Sequence, residues 1–141
     1  MSEMCKESGG RIYVLDCSGA FQILLHGEKA DKYFQLLDDA ELVISPVIYK
    51  VECLNVLWKY VRHKDITEED ARIRIKELFG YVDEYIDTDE NAVEALHEAA
   101  RLDHCTYDML YFTLARRNGA VLLTNDGRLA DLAGKEGIEA E

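Results

Sequence analysis

Apolar positions along this chain follow two alternating patterns. Short apolar runs, Ile12-Tyr13-Val14-Leu15 closed by Asp16 and Ala120-Val121-Leu122-Leu123-Thr124, read as strands buried on both faces, and Leu42-Val43-Ile44-Ser45 as another short strand. Between them the apolar period lengthens to that of helices, from about Ser18, from Glu28 to Leu37, and from Pro46 to about His63. Further helices are predicted from Thr67, from Glu90 to Leu102, from Thr106 to Asn118 and from Gly127 to Glu136. Ser45-Pro46 has the form of an N-cap followed by proline at the first helical position. The helix it opens is expected to bury Val47, Val51, Leu54, Trp58 and Val61, spaced three or four apart. Thr67 is expected to cap the next helix, with Asp70 in the place of the usual capping-box acid, and Gly119 to end the helix before it. Tyr85-Ile86-Asp87 reads as a weak strand, and a last short segment lies around Ile138.

Strands alternating with helices predict an α/β fold, a three-layer α/β/α domain around a parallel sheet. The pattern runs unbroken over residues 11–141, with no repeat or Gly/Ser linker, behind a short frayed arm at 1–10. In such sheets ligands bind outside the carboxyl ends of the strands, where the strand order reverses.

Four acids stand where carboxylates are costly. Asp16 and Asp126 follow the ends of apolar strands, while Glu52 and Asp108 interrupt strongly apolar helices. An unpaired charge in such a place costs several kcal/mol even after relaxation, so roughly that much must be offset. Each has an ordinary explanation. Asp16 and Asp126 could cap helices, Asp108 could answer a helix dipole, and Glu52 could pair with Lys59 two turns on. Asp16 is less needed as a cap because Ser18 would serve, and Glu52 lies on a stripe with Ile48 and Val56, with Asn55 and Lys59 at its margin. Tyr111, Phe112 and Ala115 crowd the stripe of Asp108. Four such carboxylates converging without matching bases imply a bound divalent cation. The remaining acids, such as Asp38-Asp39 and Glu68-Glu69-Asp70, fall in polar segments and read as solvated charge.

A net charge of −12 lowers the expectation of a nucleic-acid partner, because phosphate affinity normally comes from Lys and Arg. Part of that excess would belong to the cation site itself. Lys50, Lys59, Arg62, Lys64, Arg116, Arg117 and Arg128 are the basic residues left to meet a polyanion. Cys5, Cys17, Cys53 and Cys105 lack metal-ligand spacing and read as small packing residues, three of them near the acids. No signal segment or membrane span is apparent, which points to a reduced, cytoplasmic protein. The four histidines pair with neither serine nor one another, and no G-x-S-x-G elbow or phosphate-binding glycine loop occurs.

Taken together, the strand ending Leu15-Asp16-Cys17-Ser18, the helical Glu52 with Asn55, the run Tyr107-Asp108-x-x-Tyr111-x-x-x-Ala115 and Leu123-Thr124-x-Asp126-x-x-Leu129 resemble PIN-domain proteins. The resemblance is nearest to the VapC-type toxin ribonucleases of toxin–antitoxin pairs, from about Arg11 to Ile138. It implies a sheet of order 3-2-1-4-5, Mg²⁺- or Mn²⁺-dependent RNA cleavage, a homodimer, and inhibition by a small cognate antitoxin. Asp16 and Asp108 would be direct ligands, with Glu52 and Asp126 acting through water and Ser18, Asn55 and Thr124 behind them. A structured RNA such as a tRNA is the substrate such an acidic enzyme would prefer. Two other classes compete: a non-catalytic binding module of the same fold, and a phosphatase or phosphotransfer domain on a doubly wound sheet. The phosphatase would want an acid where Ser18 stands, and the phosphotransfer domain a Lys at the end of the Thr124 strand.

Overall fold

The apolar runs pair into a parallel sheet in the computed structural model, which describes residues 10–141. The expected arm at 1–10 falls, apart from Gly10, outside the described residues. Strand β1 (Ile12–Leu15) lies between β2 (Leu42–Pro46) and β4 (Val121–Leu123), with β3 (Glu84–Ile86) beyond β2. Val14 faces Ile44 on one side and Leu122 on the other, and these central residues are fully enclosed. The helices are α1 (Cys17–Leu24), α2 (Ala30–Asp38), α3 (Ile48–Arg62), α4 (Glu68–Gly80), α5 (Ala92–Leu102), α6 (Thr106–Asn118) and α7 (Gly127–Lys135).

The chain steps from β1 through β2 to β3, then crosses back past β1 to β4. Right-handed crossovers therefore place the helices of the outward leg and of the return on opposite faces. Helix α6 lies across β1, β2 and β4 with α5 packed along it. Residues Met109 to Ala115 of α6 are all buried, as its nearly uniform hydrophobicity predicts. Gly119, at φ 58°, closes it in the left-handed conformation that glycine adopts without strain. Thr67 caps α4 by accepting from the Asp70 amide at 3.0 Å. No described helix is long and apolar enough to cross a membrane.

Three expectations are corrected. The fifth strand is only an isolated parallel bridge between Leu122 and Ala140, supported by Leu122 N–H donating to Glu139 O. With three residues, β4 offers a short edge, and a turn at Gly137 (φ 83°) delivers the chain to it. Ser45 does not cap α3. It stays in β2, and its buried hydroxyl donates to the Leu15 carbonyl at 2.7 Å, so the helix starts two residues after Pro46. Finally, α3 is rotated from the expected stripe: Tyr49, Cys53 and Leu57 are buried, while Val51, Leu54 and Trp58 are 63%, 43% and 52% exposed. The helix is apolar on two sides, and the buried side carries Tyr49, whose hydroxyl donates to the Leu78 carbonyl at 2.6 Å.

Candidate active site

Asp16 leaves β1 and opens α1. Its Oδ1 accepts from the Ser18 hydroxyl at 2.7 Å and the Gly19 amide at 2.8 Å. Its own amide donates to the Leu123 carbonyl at 3.1 Å, which ties the end of β1 to the end of β4. Gly19 is required here, since a Cβ at this position would lie 2.7 Å from Leu123 O. Ser18 Oγ sits 3.3 Å from Thr124 Oγ1 and accepts from the Asn125 amide at 2.8 Å. Thr124 Oγ1 in turn accepts from the Asp126 amide at 3.0 Å, and Asp126 Oδ1 accepts from the amides of Arg128 and Leu129. Both aspartates are therefore helix caps, as their ordinary explanation holds. Capping also fixes them on the same crevice.

The other two acids arrive on helices. Glu52 projects from α3 and accepts from the Tyr111 hydroxyl of α6 through Oε1 at 2.5 Å. Asp108, in the first turn of α6, meets His104 Nε2 through Oδ2 at 2.7 Å. A single cleft of about 390 Å³ is lined by Asp16, Glu52, Asp108 and Asp126, together with Ser18 and Asn55. Thr124 lies buried behind it, holding the loop rather than lining the space. The structure thus gathers every sequence-predicted site residue at one place. Among the described residues, it does not draw three of the carboxylates within a ligand range of 4.8 Å of one another; His104, Cys105 and Asp108 do come that close. Each acid is instead held by its own local donor, through one of its two oxygens.

Burial pushes the Asp16 carboxyl up to about 6, a rise that the donors around it oppose and the neighbouring Glu52 charge reinforces. Burial also raises Glu52, against the Tyr111 hydrogen bond and with help from Asp108. Tyr111, buried beside Glu52, is raised in turn and so remains a donor. Of the basic residues expected to meet a polyanion, Lys59 alone lines the cleft. Lys50 sits over the Tyr85 ring at 4.2 Å, Arg62 over Trp58 at 5.0 Å, and Arg116 pairs with Glu94 and Glu98. Arg117 donates to the Glu90 carbonyl. Those cations are spent on packing or pairing.

Two contributors escaped the sequence reading. His104 stands four residues before Asp108 but outside α6, just ahead of its N-cap Cys105, so helical periodicity gives no signal for the pair. Tyr111 belongs to the motif around Asp108 and to its crowded stripe, but the sequence assigns it no partner; in the structure it supplies the bond that orients Glu52. Of the cysteines expected beneath the site, Cys53 is buried and Cys17 lines the cleft, but Cys105 is exposed at the α6 N-cap. Cys5 lies outside the described residues. The four acids offer carboxylate oxygens, the donors that Mg²⁺ and Mn²⁺ prefer, and the Cys17 side chain also lines the cleft.

A family model described as PIN domain matches residues 13–135. No curated protein matches the chain. Among solved structures, the crystal structure of PAE2754 from Pyrobaculum aerophilum is similar, with a TM-score of 0.72 and 23% identity over 94% of this chain and 92% of that one. At that identity the likeness is one of fold.

Proposed function

The chain belongs to the PIN-domain family, generally a nuclease fold, and from that premise we propose that it is a Mg²⁺- or Mn²⁺-dependent endoribonuclease. One observation carries the reading: four carboxylates line one cleft at the carboxyl ends of β1 and β4, with only Lys59 as a cation among the lining residues. Asp16 and Asp108 are assigned as direct ligands, with Glu52 and Asp126 acting through water. A bound cation would supply polarisation of a phosphoryl oxygen and activation of water at neutral pH.

The chain's own residues prepare the rest. Ser18 and the Gly19 amide hold Asp16 through Oδ1, and Tyr111 holds Glu52 through Oε1, so both carboxylates keep fixed orientations. The bonds to Arg128 and Leu129 do the same for Asp126 through Oδ1. Asn55 adds a neutral donor and acceptor on the α3 wall, and Lys59 a positive group for a phosphate. An RNA cleavage assay with and without Mn²⁺, comparing wild type with Asp16→Asn, tests the proposal. Cleavage that ignores both the cation and the substitution would sink it.

We further propose the role of toxin in a toxin–antitoxin pair, acting in the cytoplasm on a structured RNA such as a tRNA, as a homodimer. The cognate antitoxin would place a basic side chain among the four carboxylates and cover apolar surface nearby. The exposed Val51, Leu54 and Trp58 on α3, beside the cleft-lining face of the same helix, support a protein partner there. Co-expression with a candidate antitoxin should restore growth, and the complex should lose cleavage.

A further inference from the structure

A second set of metal-ligating side chains shares one residue with the cleft. His104, Cys105 and Asp108 bring a ring nitrogen, a sulfur and a carboxylate oxygen all within 4.8 Å of one another. They meet at the start of α6: Cys105 is its N-cap, Asp108 lies in its first turn, and His104 directly precedes the cap. His104 and Asp108 are already joined at 2.7 Å, with the imidazole side chain only 6% exposed. The thiol is free and open to solvent.

We propose that these three residues form a binding site for a transition-metal dication of the Zn²⁺ class, and that its occupancy withdraws Asp108 from the acidic cleft. The inhibitory half of this rests on the nuclease reading above. One nitrogen, one sulfur and one oxygen suit Zn²⁺ and do not suit Mg²⁺. A tetrahedral Zn²⁺ with bonds of about 2.0–2.3 Å wants its ligand atoms roughly 3.5 Å apart. The His104–Asp108 contact must therefore open by under an ångström, and Cys105 must rotate inward from its exposed position. A fourth, solvent-facing position remains for water. Binding takes the thiol as thiolate, so one proton passes to the buffer for each ion bound.

The consequence follows from shared use of Asp108. The same carboxylate can serve the oxygen-lined cleft or the nitrogen-sulfur site, and a Zn²⁺ ion holding it with two further strong ligands leaves the cleft one acid short. Zn²⁺ then competes with Mg²⁺-supported cleavage without occupying the Mg²⁺ position. Cys105 does not line the cleft, so Cys105→Ser separates the two sites.

The test uses the full chain and Co²⁺ as a spectroscopic probe. Wild type should show thiolate-to-cobalt charge-transfer absorption in the near ultraviolet, displaced by one equivalent of Zn²⁺. Cys105→Ser should lose that band and Asp126→Asn should keep it. A wild-type protein without the band, or a band that survives Cys105→Ser, overturns the site. In Mg²⁺, micromolar Zn²⁺ should slow RNA cleavage by tenfold or more in wild type and by less than twofold in Cys105→Ser. Equal inhibition of the two proteins overturns the withdrawal of Asp108. Absence of RNA cleavage under every condition overturns the nuclease reading instead, and the cobalt spectrum still decides the site.

Discussion

Glu98 and Asp16 are both buried acids, 2% and 6% exposed, and the protein treats them in opposite ways. Glu98, on α5, is bonded by Arg101 at 2.7 and 2.8 Å and also by Arg116. The Arg101 bonds, with help from Arg116, hold its carboxyl well below the usual range, at about 2. The network extends to Glu94 and Glu136, so both arginines are shared between acids. Asp16 receives only neutral donors and has another acid, Glu52, as its charged neighbour, and it lies at about 6. One buried carboxylate is matched within the chain. The other is met by neutral donors alone, which marks it as a candidate for a site rather than a strut.

The comparison is sharpest in activity. Asp16→Asn should reduce Mn²⁺-supported RNA cleavage by about a hundredfold or more, at the upper end of what loss of a metal-site group costs. Glu98→Gln should leave the per-molecule rate of the folded enzyme within about threefold, since no part of the Glu98 network lines the cleft. Comparable losses in the two variants would erase the distinction between site and strut.

Stability should reverse the ranking. Glu98→Gln leaves two arginines short of an acceptor and should lower Tm by about 5 °C, scaled for a domain of this size. Asp16→Asn removes a carboxylate that burial disfavours, so in EDTA its Tm should equal or exceed that of wild type. Mn²⁺ at a hundredfold excess over Kd should add about 2.7 kcal/mol to wild type, and much less to Asp16→Ala. Thermal melts with and without the ion measure both. A clear fall in Tm for Asp16→Asn would mean that capping by Asp16 outweighs its burial.

The pH dependence separates the two acids by sign. Asp16 sits above its ordinary 3.8, so the native state holds its proton where the unfolded chain has lost it. Stability without metal should therefore decline as pH rises from about 4 to 6, by roughly 3 kcal/mol from this group. Glu98 sits below its ordinary 4.5, so its contribution is present above that pH and is lost as pH falls toward 2. Asp16→Asn should flatten the upper slope, apart from a residue of the same sign from Glu52, and leave the lower slope unchanged. Denaturant titrations across this range would show it; an upper slope that persists in full would shift the anomaly to other groups.

Much of this was legible in the chain because each acid sat inside an apolar pattern that made it costly. The strands bearing Asp16 and Asp126, and the uniformly apolar α6 bearing Asp108, declared their burial through hydrophobicity alone. The Glu98 network did not. Glu98 shares a stripe of α5 with Ala95 and Leu102 and has Arg101 one turn on. Its partner Arg116 comes from α6, so only the packing of the two helices could reveal the full network. Helix α3 departs from expectation for a related reason. Two apolar stripes compete there, and the buried one, with Tyr49 bonded to the distant Leu78 carbonyl, is set by long-range packing that periodicity does not show. The His104–Asp108 pair was not readable from helical spacing, because His104 lies ahead of the α6 cap, and its importance came only from where the cleft lies.

The smallest effect concerns the substrate surface, where the comparison becomes one of cations. Arg101 and Arg116 are tied to Glu98, and Lys50 and Arg62 lie over aromatic rings, which leaves Lys59 as the basic group among the cleft's lining. Each neutralised phosphate on a single strand contributes a slope of about 0.7 in the dependence of log affinity on log salt. With one lining cation and a net charge of −12, RNA binding in Ca²⁺ should show a slope no steeper than about 2. Lys59→Ala should lower that slope by about 0.7, with a loss of affinity that shrinks as salt rises. Arg116→Ala, whose guanidinium belongs to the strut, should leave the slope unchanged while lowering Tm. A slope implying six or more phosphates would mean that the paired arginines release their acids for RNA, and the division between matched and unmatched charge would no longer describe the bound state.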